Sequence, residues 1–405
     1  MRLTLRRLLL VAVLLGGAAL ALATAGFTSA TSADTPTPPA PTALATCNGP
    51  TVNADKTVTF CLTAPQAGQV VLQLQSLVDK APTGLPHPMT KQDNGIWTVT
   101  VGPLEPKWWG YAFTADGVQL ADPANRNVSF FQVPPVWPGP SSAWSWVLVP
   151  GPQADYMARA DVPHGTVSTV YYTSSVLKSE QQMMVYLPPG YTKHDDRTYP
   201  VLYLYPGGGG ADTDWPVNMR ANFIMDNLLA QGKAKRMIVV MPEYNLRNCA
   251  DFTNDVFPEQ LKNDVVATTE KLFRVAPGAS NRALAGLSSG GGCVYNTLFQ
   301  DHKDFAYYGL FSPNWPVSAR NDLLQNHKDL LNGRAINKDV KLLFITKGGD
   351  TDSVTVQVPD HLALLDQNGV NYTYVPGTTY GAVYGHVWDT WGKALNYFAP
   401  RLFRR

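Results

Sequence analysis

Two rhythms of apolar and polar positions divide the chain. Between Cys47 and Val133 the pattern has a period of two over short stretches. Thr57-Val58-Thr59-Phe60-Cys61-Leu62, Val70-Val71-Leu72-Gln73-Leu74 and Trp97-Thr98-Val99-Thr100-Val101 carry it, with turn segments such as Asp93-Asn94-Gly95 between them. This predicts a small all-β sandwich over 47–133. A Pro/Trp-rich stretch follows, and 134–163 reads as a linker. From His164 onward, continuously apolar runs alternate with helical patterns. Pro200–Tyr205, Met237–Met241, Arg282–Leu287, Tyr308–Phe311 and Lys341–Thr346 read as buried strands; Phe257–Phe273, Gly292–Gln300 and Val358–Gln367 read as helices. Strands apolar on both faces and separated by helices predict an α/β domain over 164–405, with a mainly parallel sheet covered on both sides.

The N-terminus follows neither rhythm. Arg2, Arg6 and Arg7 precede an uncharged apolar run from Leu8 to Ala23, and small residues then offer cleavage sites after Ala25 or Ala33. Residues 1–33 read as a secretory signal peptide, too short in its apolar part for a membrane span. No stable span is therefore expected after cleavage. Thr35-Pro36-Thr37-Pro38-Pro39-Ala40-Pro41 marks 34–46 as an extended linker. An exported chain with four cysteines, Cys47, Cys61, Cys249 and Cys293, is expected to form two disulfides. Sequence proximity favours Cys47–Cys61 and Cys249–Cys293. No Cys or His spacing suggests a metal site, and no cofactor is implied. A length of 405 residues suits two domains, and 45% hydrophobic with 16% charged residues describes a globular protein. A net charge of +1 gives no reason to expect nucleic acid as a partner.

The chemistry centres on Gly286-Leu287-Ser288-Ser289-Gly290-Gly291, between an apolar run and a helix pattern. That context suits a nucleophile elbow, a sharp turn lifting a serine hydroxyl above a strand end. A serine needs a base, and the base needs an orienting acid. Of the histidines after it, His302, His327 and His361 lie in a charged loop, a polar stretch and an expected surface helix. His386 alone sits in a Gly/aromatic loop, Tyr384-Gly385-His386-Val387-Trp388. The acid is expected in Lys347-Gly348-Gly349-Asp350-Thr351-Asp352, where the pattern does not choose between the two aspartates. Pro206-Gly207-Gly208-Gly209-Gly210, after a buried strand, is expected to supply oxyanion N–H groups from Gly207 and Gly208, with Ser289 giving the other. Asp214, Trp215, Glu243, Tyr244 and Trp315 follow strands on the same side and are candidates to line the cleft.

These segments carry a family resemblance. Tyr186-Leu187-Pro188-Pro189-Gly190-Tyr191, Tyr199 to Gly210, Gly286 to Gly291 and Gly385-His386-Val387-Trp388-Asp389-Thr390-Trp391 resemble the secreted esterase family of α/β-hydrolases. That family includes feruloyl esterases, enterochelin-esterase-like proteins and the mycolyltransferases. Gly95 to Val99 and Tyr111 to Gly117 resemble the immunoglobulin-like β-sandwich found ahead of such esterases. The resemblance implies the α/β-hydrolase fold and a serine esterase acting outside the cell or in its envelope. Its Gly-x-x-Asp pattern points to Asp352 as the acid, with Asp350 the alternative. The implied partner is an ester substrate, carbohydrate-linked or a siderophore. Two departures stand out: Pro206 replaces a usual His, and Ser289 replaces a usual Met. Acyl transfer of the mycolyltransferase type, and a non-catalytic envelope or carbohydrate-binding role on a hydrolase scaffold, remain alternatives at this level.

Overall fold

The computed structural model describes residues 46–75, 85–132, 141–192, 196–243, 256–352 and 356–404. The expected signal peptide, most of the expected linker over 34–46, Tyr244 and Cys249 lie outside these residues. The N-terminal part forms two antiparallel sheets. One has the order β1-β2-β6-β5, from β1 (Thr51–Val52), β2 (Val58–Thr63), β5 (Thr90–Lys91) and β6 (Ile96–Val101). The other has the order β4-β3-β7-β10-β9, from β3 (Val70–Leu74), β4 (Leu85–Pro88), β7 (Lys107–Ala115), β9 (Val128–Gln132) and β10 (Ser141–Val149). A short β8 (Val118–Leu120) pairs with β7. The period-two residues do what their spacing predicts. Val58, Phe60 and Leu62 of one sheet and Val70, Leu72 and Leu74 of the other point into one shared core with Trp109, Tyr111 and Phe113. Cys47 and Cys61 form a disulfide with Cα atoms 5.7 Å apart. Cys293 is disulfide-bonded.

The expected linker over 134–163 is corrected here. Ser141–Val149 is a strand inside the six-stranded sheet, paired with β7 on one side and β9 on the other. Its signal was the Trp144/Trp146 alternation, hidden behind the run of prolines that precedes it.

The C-terminal part is one eight-stranded sheet. Its order is β11-β12-β14-β13-β15-β16-β17-β18, from β11 (Thr166–Thr173), β12 (Glu180–Leu187), β13 (Val201–Tyr205), β14 (Ile238–Pro242), β15 (Arg282–Leu287), β16 (Tyr307–Phe311), β17 (Leu342–Thr346) and β18 (Thr373–Tyr374). The first two strands join antiparallel; β14 through β18 run parallel. Every residue of β13 is buried, and its faces divide between two cores. Val201, Tyr203 and Tyr205 face one, Leu202 and Leu204 the other. Helices cover both faces, as continuously apolar strands require. α1 (Ala221–Ala230) and α8 (Trp388–Phe398) cover the Leu202 side. The Tyr203 side is covered by α2 (Val256–Gln260), α4 (Ser288–Asp301), α5 (Val317–Asn326), α6 (Gly333–Asp339) and α7 (Val358–Gln367). The helix expected over 257–273 runs from α2 through a π-helical turn, Leu261–Val266, into α3 (Ala267–Leu272). Among the described residues no helix is long and apolar enough to cross a membrane.

β7 ties the N-terminal sheets to the large one because it is buried on both faces. Trp109, Tyr111 and Phe113 fill the sandwich core, while Trp108 turns outward. Trp108 stacks on Trp146 at 6.2 Å and joins the cluster containing Leu202, Leu204 and Met241. Its indole N–H donates to the Val217 carbonyl at 2.9 Å. The Arg220 guanidinium lies 4.4 Å over the ring. The dipeptide Trp108-Trp109 therefore packs at a boundary, with both rings buried. Trp108→Ala is expected to cost about 3–5 kcal/mol of stability, the range for truncating a buried aromatic, measured by chemical denaturation.

Candidate active site

Four neighbouring strands end at one level and deliver the predicted site residues. Tyr205 of β13 pairs with Gly286 of β15, Leu287 with Phe311 of β16, and Phe311 with Thr346 of β17. The residues that follow these ends are Pro206 to Gly210, Ser288, Ser312 and Lys347 to Asp352. This is the carboxyl edge of a parallel sheet, where ligands bind in open α/β folds.

Ser288 is the first residue of α4, and its φ is 51°. A non-glycine residue in this left-handed region carries strain of order 1–3 kcal/mol. The surroundings hold it there. The Ser288 carbonyl accepts the Asn314 N–H at 2.8 Å. Gly290 makes the turn possible, since a β-carbon there would stand 2.1 Å from the Pro206 carbonyl oxygen. The helix expected from Gly292 thus begins four residues earlier, so the serine itself opens it.

The predicted triad residues come together. Ser288 Oγ lies 2.9 Å from His386 Nε2, and His386 Nδ1 lies 3.1 Å from Asp352 Oδ1. Asp352 is buried; Asp350 is exposed and makes no such contact, so the alternative acid is set aside. Burial alone would raise the Asp352 carboxyl. Hydrogen bonds from His386, Ser312 and the Gly348 N–H outweigh it and hold the group below the usual range, as a carboxylate. The expected oxyanion loop lies against the elbow. A β-carbon on Gly207 would stand 3.1 Å from Ser288 Cβ, and one on Gly208 would stand 3.1 Å from Ser289 Oγ. Pro206 leaves that approach intact.

Other histidines are elsewhere. His302 meets Asp339 at 3.0 Å. His361, expected on a surface helix, is instead buried edge-on against Tyr295 and Trp315, at 5.4 and 5.2 Å.

Two cleft candidates are corrected. Trp215 is fully buried against Phe311, and Trp315 is stacked on Tyr295 at 4.6 Å; both rings are core. Tryptophan following a strand end signals either role, and here the apolar faces of the helices claim it. Asp214 is buried beneath the glycine loop, where its Oδ1 accepts from Asn218 at 3.0 Å. Desolvation, then the charge of Asp212, pushes it well above the carboxylate range. Glu243 is half-buried at the end of β14 and faces Asp212 electrostatically. Residues missed from sequence are Ser312, beside Asp352, and Trp391, whose ring stands edge-on to His386 at 4.7 Å. Ser312 carried a signal in its place directly after a buried strand. Among the described residues no cluster of His, Cys, Asp or Glu is placed to hold a metal ion.

Asp212 supplies a pH test. Burial first, then Glu243, raises its carboxyl from 3.8 to about 6. A raised folded value means that ionisation opposes folding. The penalty grows from about pH 4 to about pH 6 and stays in full above it. Asp212→Asn is expected to raise the unfolding midpoint at pH 8 and to leave it unchanged at pH 4, read by thermal denaturation at both. Gly290→Ala should cost about 1–3 kcal/mol, because the Pro206 backbone must move away, measured in urea.

Residues 174–402 match the esterase family described as "Putative esterase". A curated relative, the endo-1,4-beta-xylanase/feruloyl esterase of Xylanibacter ruminicola, is 35% identical over 274 residues, 65% of this chain and 36% of its own length. The chain therefore spans about a third of that relative. Among solved structures, enterochelin esterase from Shigella flexneri superposes with a TM-score of 0.58 at 16% identity, covering 88% of this chain and 96% of that one. A ferulic acid esterase from Anaeromyces mucronatus, solved with ferulic acid, gives a TM-score of 0.50 at 23% identity, covering 61% and 94%. These structural likenesses speak for the fold, and the family match extends over more than half of the chain. The chain belongs to the esterase family and has the α/β-hydrolase fold.

Proposed function

We propose that this esterase is a secreted serine enzyme working through an acyl-enzyme on Ser288. The observation that carries the reading is the unbroken relay from Ser288 Oγ through both nitrogens of His386 to Asp352, at 2.9 and 3.1 Å. His386 Nε2 accepts the serine proton as Oγ attacks the ester carbonyl. The ionised Asp352 orients the ring and stabilises the imidazolium that forms. Backbone N–H groups of Ser289 and of Gly207 or Gly208 receive the negative charge on the carbonyl oxygen. His386 returns the proton to the departing alcohol. Water then enters by the same route, and Oγ leaves the acid product.

The feruloyl esterase relative and the ferulate-bound neighbour support an aromatic acyl group on a carbohydrate alcohol as the substrate class. Export is supported by the signal-like N-terminus and by the Cys47–Cys61 disulfide. The N-terminal sheets are assigned, as part of the proposal, to an immunoglobulin-like domain ending near Val149, with Cys293 paired to Cys249.

Purified protein is expected to hydrolyse methyl ferulate and p-nitrophenyl acetate. Ser288→Ala should lose about 10⁴-fold or more in kcat, and Asp352→Asn about 10³–10⁴-fold. Undiminished hydrolysis by Ser288→Ala would refute the mechanism. Product analysis with a sugar acceptor separates hydrolysis from acyl transfer, and a siderophore ester tests the other substrate class.

A further inference from the structure

We propose that the N-terminal sheets hold the His386 loop in register, with Tyr384 as the positioning residue and Glu105 and Lys107 as its anchors. This rests on His386 serving as the base.

The loop is held on two sides by its own half of the molecule. On the acid side, the Gly349 N–H donates to the Tyr384 carbonyl at 2.8 Å. On the helix side, the Thr390 hydroxyl donates to the carbonyls of Tyr384 and Gly385, at 3.1 and 2.9 Å. These bonds fix the backbone but leave the Tyr384 side chain to find its own partners. It finds them on the other part of the chain. The Tyr384 hydroxyl donates to the Glu105 carboxylate. The Lys107 ammonium lies 5.0 Å from the centre of the Tyr384 ring and 4.9 Å from that of Trp109. Lys107 is only 3% exposed, and its Nζ has no hydrogen-bond partner. Two ring faces therefore stabilise its charge beside the carboxylates of Asp389 and Glu105.

The anchors are rigid. Lys107 opens β7, and the next residue is Trp108, which is bonded to Val217 and packed under Arg220. Only Gly385 separates Tyr384 from His386. A shift of the tyrosine therefore passes to the imidazole, and a misplacement of about 1 Å can cost on the order of 100-fold in rate. The charged groups around Lys107 are Glu105, Asp389 and Lys393. Lys393 is bonded to Asp389 at 2.8 Å and to the Gly381 carbonyl at 2.9 Å, so Lys107 shares the Asp389 charge with a second ammonium. Burial accordingly pushes the Lys107 amine down to about 8. Above that pH the cation, and its hold on the ring, is lost.

The test uses the full chain with Tyr384→Phe, Tyr384→Ala, Lys107→Met and Lys107→Arg. It reads kcat and KM for an ester, their pH profiles, and the low-field proton resonance of the His386 Nδ1–H in the resting enzyme. Tyr384→Ala is expected to lower kcat about tenfold with KM within about twofold, and to broaden the low-field signal. Lys107→Met should lower kcat about threefold at pH 7 and remove the decline above pH 8 expected of the parent. Lys107→Arg should restore kcat at pH 7 and also lack the decline above pH 8, since Arg keeps its charge. Tyr384→Phe keeps the ring over Lys107 and should fall between parent and Tyr384→Ala. Unchanged kcat and an unchanged resonance in Tyr384→Ala and Lys107→Met, or a loss confined to KM, would overturn the proposal. The resonance needs no turnover. If the parent fails to hydrolyse esters, the catalytic reading falls, and the resonance still decides whether the sheets position His386.

Discussion

Everything in this site depends on a serine held where a serine does not want to be. The left-handed turn at Ser288 lifts the hydroxyl clear of β15 while keeping it at the head of α4. The strain is local, and the restraint is distributed. β15 lies between β13 and β16, so neither of its edges is free to relax. The Pro206 carbonyl presses on Gly290 from one side, and Asn314 bonds the Ser288 carbonyl from the other. A turn of this kind persists only when the surroundings over-determine it. Packing on both faces of the parallel sheet supplies that excess.

The same sheet sets the order of the chemistry. Neighbouring strands β13, β15, β16 and β17 deliver in turn the glycine loop, the serine, Ser312 and the acid loop, all at one level. Only His386 arrives from outside this series, on the loop before α8. It is therefore the member with the least support from strands and the greatest need of support from elsewhere. Trp391 edge-on to its ring, the Thr390 bonds to its loop and the ionised Asp352 each answer part of that need. The electrostatics agree with the packing. Asp352 keeps its charge because three donors converge on it, whereas Asp214, more deeply buried, beside the charge of Asp212 and with fewer partners, is driven towards its neutral form.

How far this was legible in the sequence varied with the physics behind each signal. Alternating strands such as Val70–Leu74, and fully apolar ones such as Val201–Tyr205, announce themselves because burial dictates their residues one by one. Ser288 and His386 were legible for a related reason: few other residues have glycine neighbours at a strand or helix end. β10 was masked by the prolines before it, although Trp144 and Trp146 carried its period. The residue pattern alone did not separate Asp350 from Asp352, and only the family resemblance favoured Asp352, because two residues along a loop decide between solvent and a buried bond. Trp215 and Trp315 were misplaced for a common reason. An aromatic ring after a strand end can face a cleft or a core, and only the helices packed over the sheet decide which.

That ambiguity bears on the role of the N-terminal sheets. A chain with one oriented base gains little from a second domain that merely touches it. Here contact is made at Trp108 and at Tyr384, and the two are different in kind. Trp108 is apolar, stacked and bonded to a backbone carbonyl, an arrangement suited to fixing two bodies together. Tyr384 meets a carboxylate and a buried amine, groups whose partners are specific and whose strength varies with pH. A structural seam alone would be cheaper with apolar residues at both places, because an ammonium must be desolvated to sit between two rings. That a lysine is buried there, against a tyrosine two residues from the histidine in contact with Ser288, argues that this second contact is maintained for the geometry of the site.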